Sequence, residues 1–403
     1  MRRMLTVWLA WLILMAGANL ATPLYAVYAK EFGFSPLVLT AVFATYAIVL
    51  APALVFFGRL SDRFGRRPVV AAGLATACVG LALFAAAQGT VWLFGARAVQ
   101  GLAVGMISGP ATAALVELDP HGSRRRAALG AGLAQAGGSA LGPLVAGVLA
   151  EWAPDPLRLC YLAALGVTLA AAALVLRLPE QRDGEREPWR PQWPRVPAEI
   201  RGAFFRVGLT AGAVWAGMAL FLSIGPSYSE RLLGTHDLAL VAAIAAAGLV
   251  ASFAAQAAME RVAGSRRRDQ ALGCALLAAG LGGVIAAGPS ASIVLLVLGS
   301  VVAGAGHGIG FLTAQQELNE LVPDERRGEV TAAFIACIYA LVASFVIASG
   351  VLGSIFSLDT SVEAVGSVLI AVALGAAMWH AVSRRADAPR RRAAAPRSAA
   401  ARR

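Results

Sequence analysis

Gly58-Arg59-Leu60-Ser61-Asp62-Arg63-Phe64-Gly65-Arg66-Arg67-Pro68 is the stretch whose reading decides the fold. It sets four arginines and one acid between two long apolar runs. Neither flank is polar enough to make a soluble domain, so the stretch reads as a tight connection between two membrane-spanning helices. Glycine tolerates the backbone angles that a sharp reversal needs. Arginine is favoured on the cytoplasmic side of a span, where the leaflet is anionic. Asp62 is the odd member, because a lone carboxylate among four arginines at a membrane surface calls for a defined ionic partner.

Composition agrees. Of 403 residues, 58% are hydrophobic and 14% charged. A soluble chain of this length would form two or three domains, but apolar runs near or above about 18 residues recur along it, as in a polytopic membrane protein. The net charge of +11 raises nucleic acid as a partner. The arginines cluster in loops between apolar runs and form no single basic face, which excludes that reading. Lys30 is the only lysine, a bias that, with so much alanine, suggests a GC-rich coding sequence. Cys78, Cys160, Cys274 and Cys337 each stand alone inside an apolar run. No spacing supports a metal site or a disulfide framework, so they read as small core residues. No cofactor is expected. Arg2, Arg3 and the run after them imitate a signal peptide with Ala16-Gly17-Ala18 near a cut site. The run continues to Tyr28, and cleavage would remove part of a segment that recurs later, so it reads as a retained first helix.

Twelve spans are predicted, at roughly 6–29, 36–57, 68–87, 91–116, 127–150 and 157–178, then 203–229, 237–257, 269–288, 291–314, 328–352 and 361–383. Each is near the roughly 20 residues that cross the hydrocarbon core. Helices satisfy their own backbone in lipid without closing a barrel, and the runs are too long for barrel strands. Of the 34 basic residues, all but Lys30, Arg97, Arg158 and Arg231 fall at the termini, in the connections after even-numbered spans or, as Arg177 and Arg206, within four residues of the span ends that border such a connection. The positive-inside rule then puts both termini in the cytoplasm of a cell-membrane protein. The organisation is a first bundle over 1–178, a cytoplasmic linker over 179–202, a second bundle over 203–383 and a tail over 384–403. The linker should lie partly on the membrane surface, with Trp189 and Trp193 at the headgroups. The Ala/Arg/Pro tail has nothing with which to form a core and should be disordered.

The halves repeat. A shift of 203 residues puts Gly101 on Gly304, Gly105 on Gly308, Glu117 on Glu320, Pro120 on Pro323 and Arg124 on Arg327, and Pro23 and Tyr25 on Pro226 and Tyr228. Transporters built from parallel repeats bind substrate at mid-membrane between them.

The opening stretch resembles the signature loop of the major facilitator superfamily between helices two and three, through Gly58, Leu60, Asp62, Arg63, Gly65, Arg66 and Arg67. The resemblance implies an all-helical fold of two six-helix bundles and secondary transport by alternating access. It implies that Asp62 acts as a conformational latch, paired with Arg66, with Glu117 or Asp119, and with backbone N–H groups near Gly328 and Glu329. Arg97-Ala98-Val99-Gln100-Gly101 resembles the helix-four pattern linked in that superfamily to proton coupling. An arginine at the centre of a lone helix costs about 2.5–3.5 kcal/mol on insertion scales, so Arg97 must face the bundle or a wet cavity. The alternative is an arginine snorkelling to the outer interface. The stretch Gly138-Ser139-Ala140-Leu141-Gly142-Pro143-Leu144-Val145-Ala146-Gly147 resembles the antiporter motif of the drug-export branch, with Ala146 in place of one glycine. Ordinary small-residue packing is the competing reading.

Polar residues beside helix-breaking prolines mark candidate substrate contacts: Asn19, Thr22 and Tyr25 in span one, Ser223, Ser227 and Tyr228 in span seven. Gln135, Gln256 and His307 are candidates for the same cavity, and each could equally bond a neighbouring helix. The 23 acids fall in loops or at helix ends, so the coupling chemistry is not legible. No nucleotide-binding motif and no nucleophile–base pair is visible, so neither ATP-driven transport nor an enzyme is expected. The expected protein is a monomeric exporter of a small, fairly hydrophobic compound in exchange for protons. Uptake or uniport of a metabolite, and a sensor without turnover, are the alternatives.

Overall fold

A computed structural model describes residues 2–57, 60–118, 124–179, 195–234, 237–259, 265–322 and 326–393. The described residues form α1 (Arg2–Asn19), α2 (Tyr25–Glu31), α3 (Pro36–Phe57), α4 (Leu60–Phe64), α5 (Arg66–Ala85), α6 (Thr90–Glu117), α7 (Arg124–Trp152) and α8 (Pro156–Leu176). They continue with α9 (Arg201–Ser223), α10 (Gly225–Leu233), α11 (Leu238–Met259), α12 (Arg266–Ser290), α13 (Ile293–Leu321), α14 (Arg327–Ile355) and α15 (Leu358–Ala393). Among the described residues, eleven stretches are long and apolar enough to cross a membrane. The twelfth expected span, at 6–29, is α1 and α2 together. It falls outside that set because it opens on two arginines and breaks at residues 20–24, around Pro23.

Span seven breaks at the matching place. Its two pieces, α9 and α10, meet at Ile224 just before Pro226. A proline removes a backbone donor and cannot continue the ladder, so equivalent prolines give equivalent breaks. Two further details depart from the sequence reading. The connection after span two is not a bare turn: it holds the short helix α4 and reverses at Gly65, whose φ of +94° favours glycine. The last helix runs on to Ala393, through residues expected to be disordered from 384. Alanine and arginine are among the strongest helix formers, so the end of a long helix extends readily into such a segment.

Lipid tails are as apolar as leucine, so packing rests on close approach at small residues. Large side chains such as Leu162, Val294 and Val368 remain exposed, while Leu74, Ile107, Leu277 and Leu369 are fully buried within their halves. Gly101 and Gly105 let α6 lie directly on α3: a Cβ at Gly101 would come 2.6 Å from the Tyr46 oxygen. Their repeat equivalents Gly304 and Gly308 lay α13 on the backbone of α11 at Gly248 and Ser252.

The halves meet along two helix pairs, α3 with α14 and α7 with α11. Both interfaces use glycine. A Cβ at Gly350 would overlap Thr40 Oγ1, and one at Gly147 would overlap Ala242. Polar ties gather at the end opposite the arginine-rich connections. Lys30 pairs with Glu230, the Leu37 N–H donates to Ser354 Oγ at 2.9 Å, and the Leu238 N–H donates to Glu151 Oε2 at 2.9 Å.

Candidate functional site

Arg97 lies on α6 and is 4% exposed, so the snorkelling alternative does not hold. Nη1 donates to the Ala18 carbonyl at 2.9 Å and to Gln100 Oε1 at 2.9 Å. Gln100 Nε2 in turn donates to the Gly17 carbonyl at 3.2 Å. Both carbonyls belong to the last turn of α1. A helix end leaves carbonyls without partners and carries partial negative charge, so the break at residues 20–24 supplies what a carboxylate would otherwise supply. The guanidinium carbon also sits 4.5 Å from the centre of the Tyr46 ring and 5.4 Å from that of Phe43. The close approach of α6 to α3 at Gly101 brings Tyr46 there. Such cation–π contacts contribute about 0.5–2 kcal/mol each.

The other residues of span one are placed differently. Asn19 Nδ2 donates to the Met15 carbonyl at 2.9 Å and to Ser139 Oγ at 3.3 Å, tying α1 to α7 and leaving Arg97 to other partners. Thr22 is buried inside the break. Tyr25 is buried edge-on to Phe43, its ring centre 6.3 Å away, with a hydroxyl that no hydrogen bond reaches.

In the second half, His307 Nδ1 lies 2.8 Å from Ser252 Oγ, which also accepts from Gln256 Nε2 at 3.3 Å. The imidazole stands edge-on to Trp215 at 4.7 Å and parallel to Phe311 at 6.1 Å, and its Nε2 is buried without a hydrogen-bond partner. Gln135 is half-buried on α7. Tyr228 is not grouped with His307. It is buried inside the second bundle, and its hydroxyl points to the Val284 carbonyl at 3.5 Å.

On α7, a Cβ at Gly138 or Gly142 would run into the α1 backbone at Leu12 and Ala16, whereas Gly147 faces α11. The motif therefore presents glycines to both a same-half neighbour and the other half, with Pro143 between them.

At the arginine-rich end, Arg66 Nε lies 3.1 Å from Glu117 Oε1, and Arg66 also donates to Ser61 Oγ. Arg67 Nη1 donates to the Leu178 carbonyl at 3.0 Å, and Arg63 lies over Phe64. The second half repeats the first pair as Arg266 with Glu320, 3.3 Å apart. Gly58 and Asp119 lie outside the described residues, as does the side chain of Asp62.

The sequence reading overlooked one polar cluster. Glu317 on α13 accepts from Arg206 of α9 and Gln270 of α12, and Arg267 lies 3.7 Å from it. Thr210 Oγ1 donates to the Arg206 carbonyl at 3.2 Å and sits 2.8 Å from His380 Nε2 on α15. Arg206, Glu317, Asp269, Gln270 and His380 are all buried. Counting acids at helix ends as solvent-facing hid Glu317 and Asp269. The available signal was Arg206, a lone arginine inside an otherwise apolar span.

This architecture is that of a multi-pass, all-helical membrane protein built of two bundles. The profile of the Major Facilitator Superfamily matches residues 7–347, and the chain belongs to that family. It is 38% identical over 153 residues to the multidrug efflux pump LfrA of Mycolicibacterium smegmatis, covering 36% of this chain and 29% of the relative. It is 32% identical over 183 residues to the cephamycin export protein CmcT of Amycolatopsis lactamdurans, covering 45% and 36%. These alignments thus span about a third of the curated relatives' length. A bacterial homolog of the human lysosomal transporter Spinster, solved in an inward-facing and occupied conformation, superposes with a TM-score of 0.74 at 14% identity, covering 95% of this chain and 96% of that one. That likeness shows the fold.

Proposed function

We propose that this protein is a proton-coupled exporter of a small, fairly hydrophobic compound, working as a monomer with both termini in the cytoplasm. The observation that carries the reading is the pair of glycine-built interfaces, α3 with α14 and α7 with α11, tied by polar contacts at one end. Two bundles hinged along such seams can rock about a crevice between them, as alternating access requires. On the charge rule the tied end is the outer one, so these ties close the outside. Breaking Lys30–Glu230 and the Glu151 and Ser354 bonds would open it.

Export is supported by the glycines of α7 and by partial similarity to efflux and export proteins. The hydrophobic class of cargo is supported by the Trp215, Phe311 and His307 cluster. The Arg97–Gln100 pair couples the end of α1 to α6, so movement of α1 changes the surroundings of a fixed cation. A fixed cation repels protons, and it would help release a proton held by a group such as His307.

Everted vesicles test this. Substrate uptake driven by an acid-inside pH gradient is expected, as is counterflow of labelled compound in proteoliposomes. Counterflow that ignores the gradient would replace antiport with facilitated transport. Absence of counterflow for every compound exported by cells would favour a sensor.

A further inference from the structure

The second bundle holds a partly open apolar pocket, to which no described residue of the first bundle contributes. Leu220, Ile224, Tyr228, Val284, Leu296 and Ser300 form much of its wall, and all six are buried. The half-buried members of the wall, Phe221, Gly225 and Ile285, put its mouth beside the break between α9 and α10.

The internal repeat explains why the space exists. The shift of 203 residues carries Arg97 onto Ser300 and Gln100 onto Ala303. It carries Gly17 and Ala18, whose carbonyls those side chains reach, onto Leu220 and Phe221. In the first half the guanidinium and the amide occupy the angle between the broken helix and α6. In the second half the equivalent angle receives only a hydroxymethyl and a methyl group, and Ser300 Oγ turns back to its own helix at Leu296, 2.8 Å away. The first half keeps a smaller pocket near the matching place, lined by Ala18, Leu81 and Gln100. Where the first half holds a cation, the second half thus has an apolar space.

We infer that this space is a binding site for an uncharged hydrophobic group, separate from the crevice between the halves. Among the described residues, no charged side chain lines it. Two of the hydroxyls that line it are committed, Ser300 to Leu296 and Tyr228 to Val284. A pocket of this lining excludes water and takes apolar guests. The occupant is a hydrocarbon or aromatic body, from either a lipid acyl chain or a free hydrophobic compound. The inference does not depend on proton coupling or on export.

Photolabelling of the purified full chain in lipid nanodiscs tests it. The probe is trifluoromethyl-phenyl-diazirine, with label mapped by peptide mass spectrometry. Saturable labelling is expected within 220–229 and 281–285. Ser300→Leu and Ala245→Leu, which fill the space from two sides, should each cut it about tenfold. A parallel arm uses a phosphatidylcholine with the diazirine on its acyl chain. Label at the same residues in that arm assigns an acyl chain; label from the small probe alone assigns a free compound. Labelling there no stronger than at the exposed residues Val294 and Val368 would overturn the inference. So would saturable labelling unchanged in both variants, each first checked for a monodisperse elution profile.

Discussion

Arg97 Nη1 lies 2.9 Å from the Ala18 carbonyl oxygen, so a buried cation on α6 is held by the end of a broken helix and, among the described residues, by no acid. A charge at a helix terminus is stabilised by about 0.3–1 kcal/mol at a surface and up to about 2 kcal/mol when partly buried. Arg97→Ala should abolish pH-gradient-driven transport in everted vesicles while leaving some energy-independent exchange. Arg97→Lys should restore it only in part, because an ammonium cannot reach Ala18 and Gln100 with a planar fork. Equal loss of both activities in Arg97→Ala would reduce its role to packing.

Glu317 carries a different expectation. Removing one partner of a buried ion pair costs about 3–5 kcal/mol, because the other charge is left uncompensated. Glu317→Gln should therefore lower the thermal denaturation midpoint of purified protein well below that of Glu320→Gln, whose pair with Arg266 is largely exposed. Arg206→Met combined with Glu317→Leu should be more stable than either single change. A double variant as unstable as the sum of the two singles would refute a coupled buried pair.

Gly350 tests the seam between the halves. Its missing Cβ would overlap Thr40 Oγ1. Gly350→Val should keep membrane expression and cut counterflow by about an order of magnitude or more, since overpacking at a sliding contact costs about 1–3 kcal/mol. Adding Thr40→Ala should recover part of the loss. Wild-type counterflow in Gly350→Val would mean the seam is not under this constraint.

Asp62→Asn is expected to keep expression and lose most transport. The half-buried pair of Arg66 and Glu117 nearby should contribute only about 0.2–1 kcal/mol in a double-mutant cycle. The effect of Asp62→Asn should thus appear in the rate of alternation, measured as counterflow, with the denaturation midpoint unchanged. Full activity would dismiss the latch.

Topology has its own check. A reporter active only in the periplasm and fused after Arg384 should be silent, and one inserted after Gly234 should be active. The opposite pattern would reverse the orientation drawn from the arginines.

Chain order alone settled several features of this protein. Span lengths follow from the thickness of the bilayer, so α3, α5, α6 and the later helices lie close to where hydropathy puts them. The paired breaks were legible because Pro23 and Pro226 act locally, through a missing N–H. Arg97 and Gln100 were legible because a charge inside a span always needs an explanation. What satisfies Arg97 was not legible, since backbone carbonyls of α1 have no residue signature and become acceptors only where the helix stops against α6. Glu317 was hidden for a related reason: whether an acid near a helix end meets solvent or Arg206 depends on which helix lies beside it. The reassignment of Tyr228 from the crevice to the interior of the second bundle is likewise a matter of packing. So is the cavity beside it, because a serine in place of an arginine leaves a space only when the surrounding helices hold their positions.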